Sequence, residues 1–425
     1  MIPLALDDIR RRCPGRLIAA PGAERVGGVE IDSRRVRAGD LFVAVGGGRE
    51  FVADALSRGA AAALVPDDEF ASLAALAREI RGRSAPLVVG ITGSTGKTST
   101  KDILAALCRP HARTVASEGG HNNEIGLPLT LCRIEPDTQV VVAEMGMRGL
   151  GQIAELAALA RPLVGVVTNV GPGHLELLGT VERVAEAKAE LVVHLEPRGT
   201  AVVPDDAPEL EPFLRRDDVE VVRFGDSGDV RLVRFEPPLL VADVGGRRVE
   251  LEVPFRARHQ ARNTLAALAA YRALGLPLER AAEGAREIHF SRWRGEELAL
   301  PDGGLVINDA YNANPVSMQA ALEHLVERAG GRRTIAVLGE MAELGTDAPR
   351  YHHEVGEAAR ALGVDVVVAV GGELAREYGG RHVAGRAETT QLLRELVRPG
   401  DVVLVKASRA AALESVAETL AGVPA

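Results

Sequence analysis

The sequence predicts an α/β protein with three domains, two of which hold a parallel sheet with helices on both faces. Short continuous apolar runs alternate with helical patterns along most of the chain, as they do in doubly wound sheets. One such run, residues 87–92, leads directly into a glycine-rich loop and a helix. The length of 425 residues fits about three domains at roughly 150 residues each.

The first predicted domain, residues 1–84, is a small α/β unit with strands at 29–31 and 41–45 and a helix at 70–80. Residues 81–86 have the composition of a linker, so the central domain is predicted to cover residues 85–295. Its buried parallel strands are predicted at 87–92, 140–143 and 164–168. An antiparallel flank is predicted over 200–254, and a helix over 259–274.

The C-terminal domain, residues 296–425, is predicted to be a smaller Rossmann-like unit. Its apolar runs alternate again with helical segments, and they lie at 305–307, 334–338, 364–370 and 402–405. Ligands of such sheets bind beyond the carboxyl ends of the strands. We therefore expect the functional site in the cleft between the central and C-terminal domains.

Composition excludes several classes of protein. The net charge is −9, from 50 basic and 59 acidic residues, which argues against a nucleic-acid-binding protein. The apolar runs are too short to span a bilayer, and the N-terminus lacks a signal-peptide pattern, so we expect a cytoplasmic protein without membrane insertion. The three cysteines lack CxxC spacing, which predicts neither a disulfide framework nor a zinc site.

Two residue types are scarce, which makes their positions informative. Lysine occurs only at 97, 101, 188 and 406, while arginine supplies the other 46 of the 50 basic residues. Asparagine occurs at only seven positions, three of them within residues 308–314. Lysine offers a compact ammonium that can lose its proton, and arginine does not. Each remaining lysine is thus a candidate for a specific role.

The strongest chemical signal is the glycine-rich loop after residues 87–92. Strand, loop and helix in this order point backbone N–H groups at phosphates, and we expect phosphate groups to bind there. Ile91 occupies the first glycine position of the full P-loop pattern, so the loop is a shortened variant; the alternative is an ordinary Gly/Ser turn. The predicted phosphate-binding residues of the loop, which the family resemblance given below assigns to ATP, are Gly93, Ser94, Thr95, Gly96, Lys97, Thr98 and Ser99.

Acidic and histidine side chains follow two neighbouring predicted strands. Glu144 ends one buried run, where a carboxylate suits a Mg²⁺ ligand, and His174 follows another. The alternatives are a solvated acid and a structural histidine. Lys188 lies in a predicted helix between Glu186 and Glu190, and its spacing alone favours a solvated helix face.

Further candidates lie in the second half of the cleft. Asn263 opens a helix, and Arg294 adjoins the single tryptophan at the domain boundary, from which it can reach a γ-phosphate. Asp309 follows a strand and suits a ribose hydroxyl. Lys406 and Arg409 are expected to bind a carboxylate at a helix N-terminus.

Several segments together resemble signatures of the Mur ligase family, over essentially the whole chain. They are Asp32-Ser33-Arg34 with GDLFVA at 39–44, GGHNNEIG at 119–126, YNANP at 311–315, GEMAELG at 339–345 and KASR at 406–409. The resemblance implies a UDP-binding first domain, a central ATPase domain and a Rossmann-like C-terminal domain that binds the incoming dipeptide.

Within that family, the resemblance is strongest to the enzyme that joins UDP-N-acetylmuramoyl-tripeptide to D-alanyl-D-alanine in peptidoglycan synthesis. It implies an ATP- and Mg²⁺-dependent amide ligase that forms an acyl phosphate, and we expect a monomer. The alternatives are another Mur-type or folylpolyglutamate-type ligase and a non-catalytic nucleotide-binding relative. The HNNEIG and YNANP segments speak against the other ligases.

The resemblance also implies residue roles. Lys97, Lys188, His174 and Glu144 are implied to be catalytic, and Lys188 aligns with a lysine that the family carbamylates with CO₂. The implied metal ligands are Thr98, Glu144, His174 and carbamylated Lys188. Outside the loop, the implied ATP contacts are Asn263, Arg294, Asp309 and Asn312. The implied substrate contacts are Ser33, Arg34, Gly119, Asn122, Asn123, Tyr311, Asn314, Lys406, Ser408 and Arg409.

Three positions depart from the family signatures. Gly120 stands where asparagine is usual, Ala407 replaces the glycine of KGSR, and residues 46–54 lack the usual aspartate-glycine-histidine. None of these changes removes a residue that the chemistry requires.

Overall fold

The computed structural model describes residues 1–423, in which four β-sheets are arranged along the chain. The predicted C-terminal domain runs to residue 425, so its last two positions lie outside the described residues. Each half of the predicted cleft is supplied by a mainly parallel sheet, as the alternating apolar runs indicate.

The N-terminal part holds a four-stranded sheet of order β2-β6-β5-β4 and a separate pair, β1 with β3. Its strands are β1 (Leu4–Ala5), β2 (Gly15–Ala19), β3 (Arg25–Val26), β4 (Gly28–Glu30), β5 (Asp40–Val43) and β6 (Ala62–Pro66). Its helices are α1 (Leu6–Arg12), α2 (Val52–Ser57) and α3 (Glu69–Gly82). The predicted strands and the predicted alanine-rich helix are confirmed to within a few residues.

The central part holds a nine-stranded sheet of order β15-β14-β13-β12-β11-β10-β7-β9-β8. Its strands are β7 (Leu87–Thr92), β8 (Thr114–Ala116), β9 (Val140–Glu144), β10 (Val164–Val167), β11 (Thr200–Pro204), β12 (Glu220–Gly225), β13 (Val230–Glu236), β14 (Leu239–Val244) and β15 (Arg247–Glu252). Its helices are α4 (Lys97–Cys108), α5 (Gly126–Cys132), α6 (Gln152–Ala160), α7 (Leu175–Leu178), α8 (Val181–Val193), α9 (Arg258–Ala273) and α10 (Ala282–Ala285).

The prediction of an antiparallel flank over 200–254 is wrong for its first half. Strands β11 and β12 pair in parallel and extend the central sheet, and only β13, β14 and β15 pair antiparallel to one another. All five residues of β11 are buried, because α8 crosses back over the sheet before that strand begins.

The C-terminal part holds a six-stranded sheet of order β16-β17-β21-β18-β19-β20, with only β16 antiparallel to its neighbour. Its strands are β16 (Glu296–Ala299), β17 (Leu305–Asp309), β18 (Thr334–Gly339), β19 (Val366–Val370), β20 (Arg381–Val383) and β21 (Val402–Lys406). Its helices are α11 (Pro315–Ala329), α12 (Ala348–Ala361), α13 (Glu373–Arg376), α14 (Arg386–Leu396) and α15 (Glu414–Leu420). The second predicted doubly wound unit is confirmed.

The N-terminal and central parts share one apolar core. Leu4, Ile9 and Leu64 belong to the same buried cluster as Leu131 and Val141, which lie beyond the predicted boundary at residue 84. The C-terminal sheet, by contrast, has a core cluster on each face that contains only its own buried residues. The predicted boundaries remain predictions, but the N-terminal part is packed as an extension of the central part.

Among residues 1–423, no helix is both long enough and apolar enough to cross a membrane.

Candidate active site

A cleft of about 1100 Å³ separates the central sheet from the C-terminal sheet. It lies at the carboxyl ends of the strands in both, because β7, β9, β17 and β21 all point toward it. The segments that line it include 94–99, 122–124, 144–156, 168–174, 259–263, 309–317 and 406–410, together with Arg294 and Glu343. The predicted location of the site, between the two sheets, is thus a substantial cavity in the structure.

The glycine-rich loop begins as β7 ends and finishes as α4 starts at Lys97. Gly96 has φ of 79°, and a Cβ there would overlap the Asn263 side chain, so this turn requires glycine. Asn169 fixes the loop from β10: it accepts from the Thr95 N–H at 2.8 Å and donates to the Thr95 hydroxyl at 2.7 Å. The loop is held open toward the cleft, as phosphate binding requires.

Lys97 lies at the start of α4 with its ammonium folded back on the loop, where it donates to the Gly93 carbonyl at 2.7 Å. Burial lowers the pKa of Lys97; the nearby Glu144 carboxylate opposes this shift and the Arg294 guanidinium adds to it. An anion beside the loop would therefore meet a poorly solvated cation, which strengthens their attraction.

Glu144, the last residue of β9, is 0 % exposed. One carboxylate oxygen accepts from the Asn122 side-chain N–H at 2.8 Å. The other, Oε2, is buried and has no hydrogen-bond partner among the described residues. Because an unpartnered buried carboxylate oxygen is unfavourable, this atom is suited to bind a metal cation taken up from solution.

Lys188 is only 1 % exposed, so the interpretation as a solvated helix face is wrong. Its neighbours on α8 do not neutralise it: Glu190 accepts from the N–H groups of Gly151 and Ala154, and Glu186 lies 3.6 Å from Arg183. Within residues 1–423 no carboxylate lies within 4.0 Å of its ammonium. Burial, and then the charge of Lys97, hold the pKa of Lys188 well below its usual value.

His174 is placed at the cleft wall but contacts an acid rather than the glycine-rich loop. Its Nδ1 lies 2.6 Å from Oε2 of Glu343, which lies in the loop after β18 of the C-terminal part. This close contact with the imidazole lowers the pKa of the Glu343 carboxyl. Within residues 1–423 no group of three or more His, Cys, Asp or Glu side chains is arranged as a metal site.

Arg294 connects the domain boundary to the P-loop helix. Its guanidinium donates to the Thr98 hydroxyl at 2.9 Å and lies 3.9 Å from the centre of the Tyr311 ring. This is the approach predicted for an arginine that reaches across the cleft, and it places the guanidinium beside the predicted phosphate site.

Asp309 and Lys406 end adjacent parallel strands, β17 and β21, and face each other in register. The Lys406 ammonium donates to Oδ2 of Asp309 at 2.6 Å and to the Asn312 carbonyl at 3.0 Å. Arg409 likewise pairs with Glu414 at 2.5 Å. In this structure both cations that were expected to bind a carboxylate are already paired with acidic side chains of the protein.

Asn314 and Ser408 brace the cleft wall. Asn314 caps α11 by accepting from the Ser317 N–H at 2.9 Å, and it donates to the Ser94 carbonyl at 3.2 Å. The Ser408 hydroxyl accepts from the Ala342 N–H at 2.9 Å. Asn314 therefore connects two segments that carry predicted site residues, and Ser408 connects its segment to the one that carries Glu343.

Five predicted site residues do not line the cleft: Ser33, Arg34, Gly93, Gly119 and Lys188. Arg34 is paired with Asp32 at 2.7 Å on the N-terminal part. The structure adds three residues that were not among the predicted site residues, namely Lys101, Asn169 and Glu343. The scarcity of lysine and asparagine was a usable signal for the first two, and the GEMAELG segment was one for Glu343.

The chain is similar to known family profiles and proteins. A profile described as Mur ligase middle domain matches residues 91–271, and one described as Mur ligase, glutamate ligase domain matches residues 293–409. The UDP-N-acetylmuramoyl-tripeptide--D-alanyl-D-alanine ligase of Mycobacterium tuberculosis strain H37Rv is 36% identical over 93% of this chain and 92% of its own length. The ligase of that name from Bacillus subtilis is 32% identical over 99% of both chains.

Solved structures give the same result. A crystal structure of MurF from Acinetobacter baumannii matches with a TM-score of 0.85 and 28% identity, covering 99% of each chain. MurF ligase from Thermotoga maritima in complex with ADP matches with a TM-score of 0.79 and 30% identity, covering 93% of this chain and 97% of that one. The profiles, the sequence relatives and the folds agree, and the chain belongs to the Mur ligase family.

Proposed function

We propose that this protein is an ATP-dependent amide ligase that joins UDP-N-acetylmuramoyl-tripeptide to D-alanyl-D-alanine. The observation that carries the proposal is the cleft itself, in which a phosphate-binding loop and a buried, half-unpartnered carboxylate lie side by side. The full-length similarity to ligases that bear this substrate name supports the choice of substrates.

Mg²⁺ would be held by the Thr98 hydroxyl and the Glu144 carboxylate, since Oε2 of Glu144 is a buried oxygen without a partner. Mg²⁺ in phosphoryl-transfer sites usually uses one or two carboxylates and completes its shell with phosphates and water. A pair of protein ligands, rather than an acidic cluster, is therefore enough. When bound, the ion would stabilise negative charge on the phosphate oxygens.

The proposed reaction has two chemical steps. The tripeptide carboxylate attacks the γ-phosphorus of ATP, the bond to the β–γ bridging oxygen breaks, and an acyl phosphate and ADP result. The amine of D-alanyl-D-alanine then attacks the acyl carbon, loses a proton and expels inorganic phosphate. Lys97 and the loop N–H groups stabilise charge on the transferring phosphoryl group, and Arg294 closes the site from the opposite side.

We also propose that Lys188 functions as a carbamate. Burial favours the neutral amine, which adds to CO₂ to give an N-carboxylate and a proton. The product would place a negative charge near the Lys97 ammonium, which a protonated Lys188 would repel. An anion that ligates a second metal ion, or that orients the first, is the role that this proposal gives it.

The two substrates are assigned to opposite sides of the ATP site. Ser33 and Arg34 lie on the N-terminal part, and we assign the uridine nucleotide to that side, with Asn122 and Asn123 at the cleft. A second cavity of about 930 Å³ adjoins the cleft on the C-terminal part and shares Ala342 and Glu343 with it. We assign the dipeptide to this cavity.

The test is phosphate release by the purified protein with Mg-ATP, bicarbonate, UDP-N-acetylmuramoyl-tripeptide and D-alanyl-D-alanine, with each component omitted in turn. Release that requires both substrates, together with a pentapeptide product by mass spectrometry, is expected. Lys97→Ala serves as the negative control for contaminating hydrolysis.

Two other results would replace the proposal. Release with the same nucleotide but a different amine would retain a Mur-type ligase with another acceptor. Binding of ATP without stimulation by any substrate pair would indicate a non-catalytic relative.

A further inference from the structure

Gly120 lies in the loop of residues 117–123, here called the substrate loop, at a position where the family signature has asparagine. Its φ is not in the left-handed region, so its backbone does not require glycine. The surrounding atoms do require glycine, because a Cβ built on Gly120 would overlap the Tyr311 hydroxyl oxygen and lie 3.0 Å from Cζ of that ring. The space of the missing side chain is thus filled by a tyrosine from the turn that follows β17.

Tyr311 in turn connects the substrate loop to the P-loop. Its ring lies under the Arg294 guanidinium, at 3.9 Å, and Arg294 donates to the Thr98 hydroxyl at 2.9 Å. The contact at Gly120 therefore fixes the position of Tyr311 and, through it, of Arg294, which bonds Thr98. Thr98 is the residue that we expect to bind Mg²⁺.

Lys101 holds the substrate loop from the other side. It is buried, one turn along α4 from Thr98, and its ammonium donates to the carbonyls of Ser117 at 2.8 Å and Gly119 at 3.4 Å. The charge is balanced by Asp102, whose Oδ1 lies 2.8 Å away. The other oxygen of Asp102 accepts from Ser291, at the approach to Arg294.

These contacts form a closed circuit that starts and ends on α4. It runs from Thr98 through Arg294 and Tyr311 to Gly120, and returns through the neighbouring carbonyls to Lys101. The substrate loop also carries Asn122, which donates to Glu144, so the circuit connects both sides of the proposed metal site.

We propose that Gly120 is a positioning residue: by lacking a side chain it lets the Tyr311 hydroxyl rest on the substrate loop, and this contact sets how closely the C-terminal domain docks over the P-loop. The proposal rests on the proposed function only where it links docking to catalysis, because the contact between Gly120 and Tyr311 is a property of the fold. A side chain at residue 120 would hold Tyr311 and Arg294 away from Thr98.

The first arm of the test is a double-substitution cycle on the ligase reaction. Gly120→Ala is expected to lower kcat about tenfold without changing the thermal unfolding midpoint, because residue 120 lies in a loop and not in a core cluster. In a Tyr311→Phe background the same alanine is expected to cost less than about twofold, because the overlapping oxygen is gone. Gly27→Ala, at an exposed glycine with no atom within 4 Å of its built Cβ, is the matched control.

The second arm needs no turnover. Small-angle X-ray scattering with Mg-ADP is expected to give a larger radius of gyration for Gly120→Ala than for wild type, and a return to the wild-type value in the double variant. If wild type releases no phosphate with the proposed substrates, the proposed function fails and this arm alone decides the inference. An equal cost of alanine in both Tyr311 backgrounds, or a radius of gyration unchanged by Gly120→Ala, would overturn the positioning role.

Discussion

His174 and Glu343 meet across the cleft with Nδ1 of the imidazole 2.6 Å from Oε2 of the carboxylate. Both residues have left-handed backbone conformations, with φ of 59° and 63°. Such conformations cost about 1 kcal/mol or more for a residue with a side chain, so the surrounding contacts must hold them. The Glu176 N–H adds one such contact by donating to the Glu343 carbonyl at 3.3 Å. This pair therefore fastens the C-terminal sheet to the central one.

The first prediction concerns the pH dependence of this contact. The pKa of Glu343 is lowered from its ordinary 4.5 by the close contact with the His174 imidazole, so the carboxylate stabilises the folded state above pH 4.5. That contribution is lost as the pH falls through the lowered pKa. Glu343 is 41% exposed, which limits the effect to about 0.5 kcal/mol.

Glu343→Gln is expected to remove that part of the acid dependence. Thermal unfolding measured between about pH 6 and pH 3 should show a smaller loss of stability for the variant than for wild type. Glu354→Gln, which alters an exposed pair with Arg350, is a control for general charge effects. Parallel pH curves for wild type and Glu343→Gln would refute the assignment.

The second prediction concerns Lys188. Lys188→Met keeps a long apolar side chain in a buried position and removes the amine, so folding should be retained while kcat falls by about 100-fold or more. Short-chain carboxylic acids should restore part of the activity by supplying the missing anion. Incubation of wild type with ¹³C-bicarbonate should give a carbamate signal in the ¹³C NMR spectrum, and Lys188→Met should not.

Arginine at the same position tests the role of charge. Lys188→Arg would bury a permanent cation without a carboxylate partner in the described chain, and we expect a loss of several kcal/mol in the free energy of unfolding. Normal stability and activity of this variant would contradict both the burial and the carbamate.

For Lys188, the sequence contains the information that its acidic neighbours do not neutralise it, but not the information that it is buried. Residues two apart on a helix lie on nearly opposite faces, so Glu186 and Glu190 could not have neutralised Lys188. That much follows from spacing. The burial does not, because it results from α8 packing on β7, β10 and α6, which are distant along the chain.

Strand direction and pairing across strands were similarly out of reach. The fold class and the strands flanking the P-loop followed from apolar runs. The sequence pattern of β11 and β12, however, is the same whether their neighbours are parallel or antiparallel. The pairing of Lys406 with Asp309 depends on the register of β17 and β21, which residue spacing does not encode. Each residue was correctly expected at the cleft, and only the register reveals that they neutralise each other.

The third prediction separates stability from activity at Glu144. The carboxylate is 0 % exposed and one of its oxygens has no partner in the described chain, so its charge is a cost to the fold. Glu144→Gln should keep or raise the thermal unfolding midpoint, while phosphate release falls by about 100-fold and needs more Mg²⁺. Glu155→Gln, at another acid of the cleft wall, is the control. A variant that loses stability and keeps its metal dependence would show that Glu144 is structural.

The fourth prediction concerns the shape of the cation at residue 294. Arg294 uses its planar guanidinium twice, stacked at 3.9 Å from the centre of the Tyr311 ring and bonded to Thr98 at 2.9 Å. Lysine keeps the charge but cannot stack in the same way. Arg294→Lys should therefore lower kcat/KM for ATP by about tenfold, through a higher KM, a lower kcat or both. The unfolding midpoint should not change.

The combination with Tyr311→Leu shows whether stacking or charge is responsible. If stacking orients the guanidinium, Arg294→Lys should cost much less in the Tyr311→Leu background, since the stack is already lost. If the charge alone matters, lysine should replace arginine at little cost in the wild-type background. Arg292→Lys, two residues earlier in the chain and paired with Glu418, should leave both kinetic constants unchanged.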